Sequence, residues 1–188
     1  TECAIVYTDG MVDKAILGDL AARWQEDVID LRPDVLSVFV GTNDAERHLG
    51  RLLRADDPKT VPDFDFADWE RTYRGLLDQA RQANPALKIV LCTPFAAPCG
   101  KIVEGALGEY YPLRQRILAQ CCVIVERIAA DYGATLVPFH RLIADLETRL
   151  PNGNATYWVW DGIHPTPAGQ RLMADCWIGA AARNGVME

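Results

Sequence analysis

Serine is almost absent from this sequence, since Ser37 is the only serine among 188 residues. Ser37 stands in the middle of an apolar run over 35–40, which is typical of a buried strand, so we expect it to be poorly placed for nucleophilic attack. No apolar run reaches the roughly 18 residues of a membrane-spanning helix. Cys-x-x-Cys pairs and Cys/His clusters with zinc spacing are also missing, so we predict no metal site and no cofactor.

Basic residues are in the minority, because 19 Lys and Arg face 26 Asp and Glu and give a net charge of -7. A nucleic acid or an anionic membrane surface would repel such a chain, so neither is expected as a partner. Of the six cysteines, five lie in apolar patterns typical of free thiols, and only Cys99, in a Pro/Gly loop, is expected to be exposed. Free thiols favour the cytoplasm, with secretion as the alternative.

Strand-like apolar runs alternate with amphipathic helical patterns along the chain. The patterns predict strands over 3–7, 35–40, 88–92 and 134–138, and helices over 15–31, 47–54, 66–83, 111–132, 140–150 and 168–182. Strands separated by helices of this length pair in parallel through right-handed crossovers. We therefore predict one α/β domain over 1–188, a three-layer α/β/α sandwich of flavodoxin-like type with a mostly parallel sheet.

A polar motif follows the second predicted strand, at the edge of the sheet where such folds bind ligands. It reads Gly41-Thr42-Asn43-Asp44. The carboxamide of Asn43 is able to donate a hydrogen bond to a developing oxyanion in the cleft. The alternative is that these four residues only form a turn, for which their chemistry is equally suitable.

A second motif, Asp161-Gly162-Ile163-His164-Pro165, precedes the last predicted helix. Thr166 is a good N-cap and Pro167 suits the first helical position, so we expect His164 to lie on a short turn before that helix. A histidine there can act as a general base if a carboxylate fixes its tautomer, and Asp161 is the candidate carboxylate. The alternative is a solvated histidine on a surface turn.

Together, the two motifs resemble the GxND and DxxHP motifs of the SGNH (GDSL) hydrolase family, in which they follow a central strand and precede the last helix. The segment 19–28 also resembles a helix of bacterial members related to carbohydrate acetyl esterases. The resemblance implies hydrolysis of short-chain acyl esters, chiefly acetyl esters, of carbohydrates or other small molecules by a Ser/His/Asp triad.

The resemblance also implies a role for individual residues. His164 would be the general base, Asp161 its orienting carboxylate and Asn43 an oxyanion-hole donor. Gly41 and Gly10 would contribute to substrate binding. Trp160 would wall the acyl pocket, and its alternative is simple packing in an apolar loop.

The chain departs from the family at the nucleophile, which in the family belongs to a Gly-Asp-Ser motif on a strand upstream of the one predicted over 3–7. These 188 residues contain no such motif. We therefore expect that an N-terminal strand and helix are missing, and that a homo-oligomer would cover the sheet edge this exposes. The alternatives are a non-catalytic relative that binds an acyl or sugar ligand, and a binding module with fortuitous motifs. Thr8 is a poor substitute nucleophile because no base adjoins it.

Overall fold

A computed structural model of the chain describes residues 3–7, 16–149 and 155–187. Strands and helices alternate along it, as the sequence patterns predict. The strands are β1 (Cys3–Tyr7), β2 (Val35–Phe39), β3 (Lys88–Cys92) and β4 (Thr135–Val137). The helices are α1 (Leu17–Trp24), α2 (Thr42–Arg54), α3 (Phe66–Ala83), α4 (Gly105–Glu109), α5 (Tyr111–Tyr132), α6 (Phe139–Arg149) and α7 (Pro167–Arg183).

The described strands form one parallel sheet in the order β1-β2-β3-β4. Phe39 is the partner of Cys92, and Cys92 is the partner of Val137, so the last residues of β2, β3 and β4 lie side by side. The segments that leave these strands therefore start from one edge of the sheet. The motif at 41–44 follows β2 at this edge, and the place of the motif at 161–165 relative to it is described below.

Helices cover both faces of the sheet. On one face, α1, α3 and α5 contribute buried apolar side chains such as Trp24, Tyr73 and Ile124 to a common core. On the other face, α6 and α7 pack through side chains such as Ile143 and Met173. The predicted three-layer α/β/α architecture with a parallel sheet is thereby confirmed.

Three local predictions are wrong. The helix expected over 47–54 begins earlier, at Thr42, because buried Ala45 and Leu49 on its first turns pack into the core. The helix expected over 15–31 changes at Trp24 into a π-helical segment, Gln25–Ile29. Cys99 is buried rather than exposed, since the Pro/Gly loop packs beneath a turn and the Cys99 thiol donates to the carbonyl oxygen of Val159 at 2.9 Å.

Ser37 lies where the sequence places it, inside β2 and 4% exposed. Its hydroxyl oxygen accepts a hydrogen bond from the indole N–H of Trp177 at 3.0 Å, so α7 covers it. Across the described ranges, we find no helix whose length and apolar character would let it cross a membrane.

Candidate active site

The turn before α7 holds a carboxylate and an imidazole in direct contact. Oδ2 of Asp161 lies 2.7 Å from Nδ1 of His164, and Oδ1 accepts the backbone N–H groups of Ile163 and His164 at 3.0 and 2.8 Å. Because a carboxylate accepts, Nδ1 of His164 carries the proton and donates it to Asp161. In the neutral ring with this tautomer Nε2 keeps its lone pair, which is the arrangement a general base requires.

Local sequence makes this turn rigid. The Thr166 hydroxyl accepts the backbone N–H of Gly169 at 3.2 Å and donates to the carbonyl oxygen of Tyr157 at 2.7 Å, so it caps α7 and ties the turn to the preceding loop. Pro167 occupies the first turn of α7, where its missing N–H is not needed. The predicted N-cap is therefore confirmed, and His164 precedes the helix.

The hydrogen bonds to Asp161 control its charge. Burial alone would raise the pKa of this carboxyl, but the backbone N–H and ring of His164 and the backbone N–H of Ile163 stabilise the carboxylate more strongly. The pKa of Asp161 therefore lies below its ordinary value of 3.8. A carboxylate that is ionised at neutral pH can stabilise the imidazolium that forms when His164 takes up a proton.

Trp160 lies beside the base. Its ring faces the imidazole of His164 with centroids 6.0 Å apart and planes inclined by 26°, and the residue is 57% exposed. So large an exposed fraction is not typical of a tryptophan that only fills a core. The indole instead forms an open aromatic wall next to His164.

The other motif forms the start of α2 rather than a free turn. Gly41 is the N-cap with φ of +119°, and a Cβ there would stand 2.8 Å from Cγ of Pro94, so only glycine fits. Asn43 follows in the first turn of α2, where the helix dipole favours negative charge. This position is compatible with stabilising an oxyanion.

Asp44 anchors the start of α2, a role that the sequence did not reveal. Its Oδ1 accepts the backbone N–H of Leu17 at 3.1 Å and the indole N–H of Trp69 at 3.0 Å. Burial raises the pKa of this carboxyl above its ordinary value, although the hydrogen bonds from Leu17 and Trp69 oppose that shift. Asp44 thereby ties α1, α2 and α3 together one residue after Asn43.

The segment after β3 connects the two motifs. The Thr42 hydroxyl donates to the carbonyl oxygen of Phe95 at 3.1 Å, and the backbone N–H of Ala97 donates to the carbonyl oxygen of Gly162 at 2.8 Å. Residues 95–97 thus contact the start of α2 on one side and the Asp161 turn on the other. This contact brings the two motifs to one edge of the sheet, as predicted. Gly10 and Thr8 lie outside the described residues.

Two further glycines shape the site and were not identified from the sequence. Gly162 has φ of +92°, and a Cβ there would stand 2.5 Å from Cγ1 of Ile102 and 2.6 Å from the Cys99 carbonyl oxygen. Gly100, with φ of +63°, lies against the backbone of Asp161. In the sequence, the only indication of these positions is that each is a glycine within a loop. Within the described ranges, no group of three or more His, Cys, Asp or Glu is arranged to hold a metal ion.

An apolar groove of about 540 Å³ lies between α7 and the sheet. Pro165, the neighbour of His164, is among its lining residues, together with Met173, Trp177 and Ile178 of α7. The sheet contributes Phe39 and Cys92 to its floor, among other residues. Its lining suits an apolar ligand more than a charged one.

Comparisons with known proteins agree on one family. The sequence model of the GDSL-like Lipase/Acylhydrolase family matches residues 9–172. An acetylxylan esterase from Geobacillus stearothermophilus is 32% identical over 175 residues, which is 89% of this chain and 70% of that protein. A structure of a candidate GDSL-like lipase from Parabacteroides merdae has a TM-score of 0.74 at 27% identity, and covers 90% of this chain and 69% of its own.

A second solved structure is a catalytic mutant of Axe2, an acetylxylan esterase from Geobacillus stearothermophilus, in which a serine is replaced by alanine. Its TM-score against this chain is 0.67 at 27% identity. The match covers 89% of this chain and 68% of that one.

Proposed function

This chain belongs to the GDSL-like Lipase/Acylhydrolase family, and from that membership we propose that it hydrolyses acetyl and other short-chain acyl esters of carbohydrates or similar small molecules. The family makes it a carboxylic ester hydrolase. The carbohydrate part of the proposal is supported by the matches to acetylxylan esterase of Geobacillus stearothermophilus described above. The observation that carries the proposal is the 2.7 Å contact between Asp161 and His164, which orients the imidazole as the proposed base requires.

In the proposed mechanism, Nε2 of His164 takes the proton of a serine hydroxyl while the serine oxygen attacks the acyl carbonyl carbon. The amide of Asn43 donates to the resulting oxyanion, and Asp161 stabilises the imidazolium. His164 then returns the proton to the departing sugar alcohol. Water, deprotonated by the same imidazole, attacks the acyl-serine, and the imidazolium returns the proton to the serine oxygen as the carboxylic acid is released. Neither step requires a metal ion or a cofactor.

Three residues complete the proposed site by binding substrate. Gly41 permits the close approach of Pro94 to the start of α2, and Trp160 offers an apolar face beside His164. Gly10 is proposed for substrate binding from the family motif alone. Apolar and aromatic walls with a few polar groups are usual in pockets for small esters.

The proposed mechanism needs a serine other than Ser37, the only serine among the 188 residues. Ser37 is unsuitable, because it is 4% exposed and its oxygen already accepts from Trp177. The serine-to-alanine catalytic mutant of the related esterase supports a serine nucleophile in the family. We propose that polypeptide not included in these residues supplies it.

A non-catalytic protein that binds an acyl ligand is the second candidate. The observation that favours it is the apolar groove of about 540 Å³ that has Pro165 in its lining. Such a protein would retain the cleft but bind the ester or its acyl chain without cleaving it.

A comparison of two proteins tests the proposal. The 188-residue chain and the product of the complete reading frame that encodes it are assayed on 4-nitrophenyl acetate and on acetylated xylo-oligosaccharides. We expect turnover only from the complete product, with inactivation by phenylmethylsulfonyl fluoride and by His164→Ala. Turnover by the 188 residues that resists the serine reagent would contradict the serine mechanism. Ligand binding by the complete product without any hydrolysis would establish the second candidate instead.

A further inference from the structure

Arg114, on α5, is 0% exposed. Its Nε and Nη2 donate to the two carboxylate oxygens of Glu46, the Nη2–Oε2 distance being 3.1 Å, and its Nη1 donates to the carbonyl oxygen of Ile102 at 3.2 Å. The guanidinium therefore joins α5 to two other parts of the chain, α2 and the segment around Ile102. Because it is completely buried, it cannot contact a substrate itself.

One contact of Arg114 leads to Asn43. Glu46 lies three residues after Asn43 on α2, which places the two residues one helical turn apart. The bidentate pair with Arg114 holds this first part of α2 against α5. The position of Asn43 therefore depends on Glu46 as well as on the Asp44 anchor.

The other contact leads to Asp161. The Ile102 side chain is 4% exposed and fills the space next to Gly162, where even a Cβ would stand 2.5 Å from Cγ1 of Ile102. Gly162 immediately follows Asp161. A shift of the Ile102 backbone would therefore displace the turn that carries Asp161 and His164, since packed interiors leave no gap to absorb it.

We propose that Arg114 is a positioning residue that holds the two halves of the site in register, through Glu46 on the helix of Asn43 and through Ile102 beside the Asp161 turn. The planar fork of an arginine suits this arrangement, because it donates to both Glu46 oxygens and to a third acceptor in fixed directions. A lysine carries its N–H donors on one nitrogen, so it cannot reach three acceptors that are spaced around a guanidinium. The inference rests on the proposed function of Asn43, Asp161 and His164.

The test uses Arg114→Lys in the product of the complete reading frame. We expect kcat on an acetyl ester to fall about tenfold or more while KM changes little, because misplaced catalytic groups affect chemistry more than binding. Carbon-13 NMR should show the carboxyl pKa of Asp161 moving up toward its ordinary value as the hydrogen bonds from His164 weaken. Proton NMR should show an upfield shift of the proton shared by His164 Nδ1 and Asp161.

Arg127→Lys is the matched control. Arg127 is on the same helix and also pairs with a glutamate, Glu70, but its side chain is 53% exposed. Its replacement should leave kcat within about twofold of the parent value. A lower melting temperature for Arg114→Lys, with kcat and both NMR signals as in the control, would overturn the proposal and leave a purely structural ion pair.

A double variant, Arg114→Met with Glu46→Leu, decides the question if the single variant does not fold. Apolar residues of similar size replace buried ion pairs without loss of stability in other proteins. We expect this variant to fold, to lose kcat and to shift both NMR signals, whereas normal turnover with unchanged signals would refute the positioning role. If no ester is hydrolysed even by the parent protein, the proposed function fails, and the two NMR signals still test Arg114.

Discussion

Gly100 lies against the backbone of Asp161 with no room for a side chain. A Cβ on Gly100 would stand 2.6 Å from Cα of Asp161 and 2.8 Å from its carbonyl carbon. Because backbone cannot give way like the end of a flexible side chain, the loop after β3 limits where the Asp161 turn can lie. The geometry of the Asp161–His164 pair is therefore set partly by a loop about 60 residues earlier in the chain.

Gly100→Ala should destabilise the fold in two ways, through the contact of the new Cβ with the Asp161 backbone and through the positive φ of residue 100. A non-glycine residue held at positive φ costs roughly 1–3 kcal/mol. We expect Gly100→Ala to lower the unfolding free energy, measured by urea denaturation, by more than this. Gly105→Ala is the control, since Gly105 has φ of +51° but open space around its Cβ position. Equal losses in the two variants would mean that the contact with Asp161 costs nothing.

The sequence predicted those elements whose signals are local. The bounds of α3 and α5 agree with the predicted helices over 66–83 and 111–132, because apolar periodicity and stop residues such as Gly133 define them. Thr166 and Pro167 likewise identified the start of α7. The contact between Asp161 and His164 was predictable because the two residues are only three positions apart in the sequence.

Features that depend on distant partners were not predictable. Arg114 lies on the buried face of α5, but its partner Glu46 is 68 residues away and no pattern in one sequence connects them. The start of α2 was missed because Gly-Thr-Asn-Asp suits a turn and a helix N-terminus equally, and the burial of Ala45 and Leu49 decides between them. Cys99 was misplaced because loop composition does not reveal what packs over the loop.

Asp161→Asn should change the pH dependence of stability. Because the folded-state pKa of Asp161 is lowered, the stabilisation from its carboxylate is complete above the ordinary value of 3.8 and is lost as the pH falls through the folded-state pKa. We therefore expect wild type to exceed the variant in unfolding free energy near neutral pH, with the difference shrinking in strong acid. Urea denaturation from about pH 7 to about pH 2 measures it. A difference that stays constant over this range would show that the charge of Asp161 contributes no stability.

Trp160→Ala should affect the reaction more than the fold. Trp160 is 57% exposed, so we expect little change in melting temperature. Loss of the aromatic wall beside His164 should lower kcat/KM for acetylated xylo-oligosaccharides by roughly two- to tenfold, the range of a single aromatic contact. Tyr157→Ala is the control, because Tyr157 is 60% exposed and contacts Trp158 rather than His164. Similar kinetic losses in both variants would argue against a specific role of Trp160.

Ser37→Ala should reduce stability without affecting catalysis. It removes the acceptor of the partly buried Trp177 indole N–H, and the loss of a typical hydrogen bond costs about 0.5–1.5 kcal/mol. Trp177→Phe removes the donor of the same hydrogen bond. The double variant should therefore lose less unfolding free energy than the sum of the losses in the two single variants, because both single variants break that one bond. In the product of the complete reading frame, Ser37→Ala should hydrolyse 4-nitrophenyl acetate normally and remain sensitive to phenylmethylsulfonyl fluoride. Loss of hydrolysis in Ser37→Ala would make Ser37 the reactive serine and would contradict a nucleophile from outside these residues.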